Sequence, residues 1–268
     1  MTIDVAPGLG RMVGQRFAVR DLLRRIAVQG VAGVVAGVLV AGIGGRILMR
    51  LSAAAAGSEM VGRITENGNR IGTLSLDGTI QLIIFGGALF GAVAAALLVL
   101  LRPWLAWAGR WQGPVAGLAL LGIAGATVIT SHNVDFSILD PAWLNVGMFV
   151  VLVVGYGWAA TALADWWMRR DITSGPMLLH VALIVLGIPF LSGMFALLLS
   201  EEACGCESMP GVAVVLMLTG VATVAMWVAQ MTDHAGTVRV LRPIGIGLTT
   251  VAFALGTAQL VSEIATII

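Results

Sequence analysis

The stretch 79–101, TIQLIIFGGALFGAVAAALLVLL, contains no Asp, Glu, Lys or Arg, and beyond Gln81 it has no polar side chain at all. A helix of this length, rising about 1.5 Å per residue, covers about 34 Å and so crosses the roughly 30 Å hydrocarbon core of a bilayer. A helix on the surface of a soluble domain would keep one polar face; this one has none. Six further runs of about the same length also lack ionisable carboxylates and cations: 26–45, 113–131, 142–164, 177–200, 211–231 and 244–262. The reading is an all-α integral membrane protein with seven transmembrane helices.

Composition leads to the same class. Hydrophobic residues make up 59% of the 268 residues, charged residues 11%, and the mean hydropathy is +0.99, outside the balance of soluble domains. The net charge of +1 hides an asymmetry, because all 15 basic residues are Arg. Eleven of them (Arg11, Arg16, Arg20, Arg24, Arg25, Arg102, Arg110, Arg169, Arg170, Arg239 and Arg242) fall on one side of the seven-span arrangement. Arg46, Arg50, Arg63 and Arg70 fall on the other. The positive-inside rule then makes the N-terminus cytoplasmic and the C-terminus external, in a multi-pass protein of the inner (plasma) membrane. Trp104, Trp107, Trp111, Trp166, Trp167 and Trp227 gather near the inner boundary and Trp143 near the outer one, as interfacial belts do. Residues 1–25 read as a basic cytoplasmic segment and 26–268 as one helical membrane domain. The apolar run at 26–45 is too long for a signal h-region, so it reads as a retained span.

Helix punctuation refines the boundaries. Asp140-Pro141, Ser174-Gly175-Pro176, Met209-Pro210 and Arg242-Pro243 place Pro where a helix starts. Span one is expected to run on to Ala56 and stop at a left-handed Gly57. Gly187-Ile188-Pro189 predicts a kink within span five. Gly33 with Gly37, Gly87 with Gly91, and Gly113 with Gly117 are spaced for close helix packing in lipid. Leu101-Arg102-Pro103 and Leu241-Arg242-Pro243 frame a candidate repeat of spans one to three and five to seven.

The outer loops hold the candidate site. Residues 58–78 read as an extracytoplasmic excursion with a short β-hairpin at 61–74, turning at Asn67-Gly68, and Asp77 is expected to cap span two. Arg46 and Arg50 lie one helical turn apart. Arg46 follows directly on twenty uncharged residues, so both are expected to pair with carboxylates, Asp77 first, or to bind an anionic head group. The alternative is a pair that snorkels and anchors the helix end. His132 and Asp135 occupy the next outer loop; Glu201, Glu202, Cys204 and Cys206 occupy the third. One imidazole, two thiolates and carboxylates would suit a soft metal, but a lone His with Cys-x-Cys lacks ligand spacing, and a local Cys204–Cys206 disulfide is preferred.

Other chemistries are thinned by what the residues supply. Without Lys there is no Schiff base for retinal, and His132, His180 and His234 fall at different depths, which does not suit a haem. No phosphate-binding loop, nucleophile elbow or HExxH motif occurs, and no cofactor is expected.

The runs Met49-Arg50, Thr65-Glu66-Asn67-Gly68, Leu76-Asp77-Gly78-Thr79, Gly86-Gly87, Leu101-Arg102-Pro103-Trp104 and Pro141-Ala142-Trp143-Leu144-Asn145-Val146 resemble a set of uncharacterised bacterial polytopic membrane proteins. The resemblance covers about residues 46–166. It implies membrane location and architecture and carries no activity.

Three function classes follow. The first is a non-enzymatic accessory or scaffold subunit with an extracytoplasmic interaction surface, whose partners are the bilayer and other membrane subunits and not nucleic acid. The second is a small-solute transporter or channel, although the span centres carry no ionisable group beyond the edge-placed His180. The third is a membrane enzyme acting on a lipid or cell-envelope substrate through His132, Asp135, Glu201 and Glu202.

Overall fold

The computed structural model describes residues 7–57, 62–63, 75–133, 136, 140–170 and 209–268, with side chains in the first helix from Val19 onward. Helix α1 (Pro7–Ala36) passes without a break into a π-helical segment, π1 (Gly37–Gly44), and then into α2 (Gly45–Ala55). Gly57 adopts φ +83° just beyond it, the left-handed stop expected from the sequence. The second crossing is built the same way, from α3 (Leu76–Gln81), π2 (Leu82–Leu89) and α4 (Phe90–Leu101). A 3₁₀ segment (Ala106–Trp111) leads into α5 (Gln112–Ala124) and a further 3₁₀ turn (Gly125–Thr127). Helices α6 (Ala142–Arg169), α7 (Pro210–Met231) and α8 (Ala235–Ile267) complete the bundle.

Among the described residues, five helices are long and apolar enough to cross a membrane, so the chain is a multi-pass membrane protein. The third expected span, 113–131, is realised as the 13 residues of α5 plus one 3₁₀ turn. It ends early because Ala124 leaves helical geometry at φ −120°, and Ser131 N–H is taken up by Glu263 Oε2 of α8 at 2.6 Å. The fifth expected span, 177–200, lies outside the described residues. The hairpin at 61–74 does too, apart from Gly62 and Arg63, and no strand occurs among the described residues.

Three other expectations are corrected. Ser75, not Asp77, caps span two: its backbone is extended and its hydroxyl accepts from Gly78 N–H at 3.1 Å. Asp77 sits in the first turn, where its charge suits the helix dipole. Pro141 itself holds the extended N-cap position of α6, so Asp140 lies one residue too early to cap it. Pro243 lies inside α8, because that helix starts eight residues earlier, at Ala235. Its ring therefore removes an intrahelical bond that a Pro in the first turn would not. Pro210 does take the first-turn position of α7.

The packing follows the small residues. Gly33 and Gly37 on one side meet Gly87, Gly91 and Ala95 on the other, so that π1 and π2 lie backbone against backbone. Gly113 and Gly117 of α5 meet Trp158, Val154 and Gly157 of α6. Gly122 and Gly256 bring α5 against α8. Around these seams one core runs through Leu98 and Leu101 (α4), Ile123 (α5), Ala160 (α6), Leu216 (α7) and Ala252 (α8). In lipid, apolar burial does not itself draw helices together; close van der Waals fit and interhelical hydrogen bonds do.

Candidate functional site

The outer-side residues expected to act together divide into two places. At the junction of α2 and α3, Arg46 is half-buried and Arg50, one turn further on, is exposed. Arg46 Nε donates to Thr79 Oγ1 at 3.2 Å and Nη2 donates to the Ser75 carbonyl at 3.3 Å. The Thr79 hydroxyl donates to the same carbonyl at 2.9 Å. The guanidinium thus finds neutral acceptors at the start of α3, while Asp77 stays exposed. Two residues past Arg50, Ser52 Oγ donates to Asn145 Oδ1 of α6, a buried pair that ties α2 to α6.

His132 lies elsewhere, beyond the end of α5, exposed and with Nδ1 3.4 Å from Thr130 Oγ1. Its neighbour Ser131 is the residue held by the buried Glu263. Asp135, Glu201, Glu202, Cys204 and Cys206 lie outside the described residues. Arg46, Arg50 and Asp77 therefore share one corner of the bundle, and His132 belongs to another built on α5 and α8.

The opposite end carries a polar junction that sequence reasoning assigned only to topology. Arg102, at the end of α4, forms an ion pair with Asp165 of α6 and donates from Nη1 to Gln29 Oε1 of α1 at 2.8 Å. Gln112 Nε2 of α5 donates to the Arg102 carbonyl at 3.0 Å. One residue thus joins four helices. The pair is 27% and 40% exposed, so water screens it, and its contribution is nearer the roughly 1 kcal/mol of a surface pair than the larger figures for buried ones. A signal was present in the sequence: Arg102 ends an uncharged run just as Arg46 does, and Asp165 is the first carboxylate after the run at 142–164.

Trp104 is the other surprise at this end. Expected in the interfacial belt, it is only 1% exposed. Its indole lies on Gly245 of α8, and Nε1 donates to Thr223 Oγ1 of α7 at 2.9 Å. Thr223 in turn donates to Thr219 O at 2.8 Å, with Leu100 O 3.1 Å away. Deeper in the bundle, the Tyr156 hydroxyl donates to Gly91 O at 2.6 Å, just beyond π2. Thr219 and Thr249 likewise donate to the carbonyls of Val215 and Gly245, at 2.8 Å each.

No family model matches this chain, and neither the curated proteins nor the solved structures searched contain a match to it.

Proposed function

We propose that this chain is a non-enzymatic accessory or scaffold subunit of the plasma membrane, crossing it seven times with its N-terminus cytoplasmic and its C-terminus outside. The observation that carries the reading is where the intramembrane polar groups spend their hydrogen bonds. Tyr156, Thr219, Thr223 and Thr249 donate to carbonyls of the bundle itself, and Ser52 donates to Asn145. The bonds of Tyr156 to Gly91 and of Ser52 to Asn145 fix one helix against the next, those of the three threonines close back four residues within their own helices, and both kinds commit these groups to the bundle instead of a solute. Orientation is supported by the gathering of Arg102, Asp165 and Gln29 at one end of α1, α4 and α6, the end where exposed Arg20, Arg25, Arg169 and Arg170 also lie.

Native mass spectrometry and pull-down from gently solubilised membranes test the role. A stoichiometric membrane partner is expected; a solitary protein retaining a small solute would overturn the subunit reading. Orientation is read separately by impermeant thiol labelling in a background with Cys204 and Cys206 replaced. Thr266→Cys should react in intact cells and Ala106→Cys should not.

One observation favours a second reading, a small-solute transporter or channel. Two π-helical segments face each other at corresponding depths of the first two crossings, and π turns inside helices are frequent at functional sites.

A further inference from the structure

Helix α6 carries a stripe that stays exposed beside its packing against α5. Trp158, Ala162, Trp166 and Arg170 are spaced four apart, so they share one face, and all four are exposed. The Arg170 guanidinium lies over the Trp166 ring, 4.3 Å from its centroid. Ala162 leaves a notch between two indoles.

A second stacked pair stands beside this stripe. Gly113 of α5 packs on Trp158, and Gly117 packs on Val154 and Gly157, so the two helices run antiparallel. The residues just before α5 therefore fall beside the C-terminal third of α6. Those residues include Arg110 and Trp111, with the guanidinium 5.7 Å from the ring centroid. Trp107 and Trp111 are both exposed, and Arg110 and Arg169 are too. The nearest carboxylate on α6, Asp165, is engaged by Arg102.

A guanidinium held over an indole face by its carbon still has N–H donors to offer, and these match the paired oxygens of a phosphate. The indoles below offer apolar walls at the depth of the upper acyl chain. A phosphodiester with a hydrocarbon tail satisfies both halves, and the surplus of Arg over carboxylate among the described residues selects a lipid with net negative charge. We propose that the Trp158–Ala162–Trp166 face of α6, headed by Arg170 and Arg110, binds an anionic phospholipid. The acyl chain lies in the Ala162 notch and the phosphate lies on the two guanidiniums. This goes beyond the subunit reading and holds equally for a transporter.

The test uses the full chain in detergent, titrated with phosphatidylglycerol or phosphatidylcholine of identical acyl chains and followed by native mass spectrometry. Phosphatidylglycerol should bind the more tightly, by about fivefold for each contributing arginine. The Arg110→Gln/Arg170→Gln variant should lose that preference while Arg20→Gln keeps it. Ala162→Leu, which fills the notch, should weaken both lipids. All these positions are exposed, so thermal stability should not change and a folding defect would be recognised by it. Equal affinity for the two lipids in the unmodified chain, or a preference that survives the double substitution, would overturn the proposal. Displacement of the lipid by millimolar inorganic phosphate would do so as well, since it would reduce the site to an anion contact without the acyl notch.

Discussion

The two glycine contacts at Gly37 and Gly245 look alike in sequence and are closed in opposite ways. A Cβ placed on Gly37 would sit 2.2 Å from the Gly87 carbonyl oxygen and 2.8 Å from Gly91 Cα, so the seam of π1 with π2 is backbone on backbone. A Cβ on Gly245 would sit 2.3 Å from atoms of the Trp104 ring, so that corner is filled by a side chain. In the first case the obstacle is the fold itself. In the second it is an indole that can be exchanged, although its Nε1 bond to Thr223 holds it in place. Glycine in a membrane bundle thus does two jobs, admitting a neighbouring helix or receiving one large ring.

The largest effect should come from breaking the backbone seam. Gly37→Val is expected to destabilise the solubilised protein by about 3 kcal/mol or more, because neither helix can retreat without losing its other contacts. A monodisperse protein with an unchanged melting temperature would show the seam to be far looser than described. At the filled corner, Gly245→Ala should cost about 1–3 kcal/mol, and a second change, Trp104→Phe, should return part of it. No recovery in the double variant would mean that the ring is not the obstacle. Whether packing outweighs charge is asked next, with Asp165→Ala. It should cost about 1–2 kcal/mol, since Arg102 is left half-buried but still within reach of water and Gln29. A loss as large as that of Gly37→Val would reverse the ranking. The smallest effect concerns the guanidinium at the α2–α3 junction: Arg46→Ala should cost about 1 kcal/mol for its two neutral hydrogen bonds, against about 0.5 kcal/mol or less for exposed Arg63→Ala. Equal melting temperatures for these two would mean that Arg46 contributes no more than a snorkelling side chain.

Much of this bundle could be read directly from residues. Five of the seven uncharged runs located helices long enough to cross a membrane, Gly57 and Pro210 marked ends, and the spaced glycines marked seams that the structure places against one another. What escaped has a common cause. A span that is apolar on every side has no hydrophobic phase, so nothing in 82–89 distinguishes i→i+5 from i→i+4 bonding. For the same reason Trp104 could not be told from its exposed neighbour Trp107. Beyond the early end of α5, Ser131 is held by Glu263, 132 residues away in the chain. The Arg102–Asp165 pair joins residues 63 apart, and no local pattern encodes such a meeting. At the corner of α2 and α3 the placement of Arg46 was legible from the uncharged run before it. Its partners were not, because Ser75 and Thr79 accept through a backbone carbonyl and a hydroxyl that carry no charge signal.

The unbroken run from Pro7 to Ala55 has a mechanical consequence. At about 1.5 Å per residue this helix is on the order of 70 Å long, more than twice the hydrocarbon thickness, and it is gripped along only part of that length. The grip begins at Ala27 and Gln29, both buried, where Arg102 donates to Gln29, and it runs on through Gly33 and Gly37; its near edge lies roughly 30 Å from Pro7. The helix is therefore a lever with a short, clamped arm on one side and a long arm on the other. A rocking of about 10° at the clamp would sweep the Pro7 end through about 5 Å, so small adjustments between the first two crossings are magnified at the arginine-bearing tip.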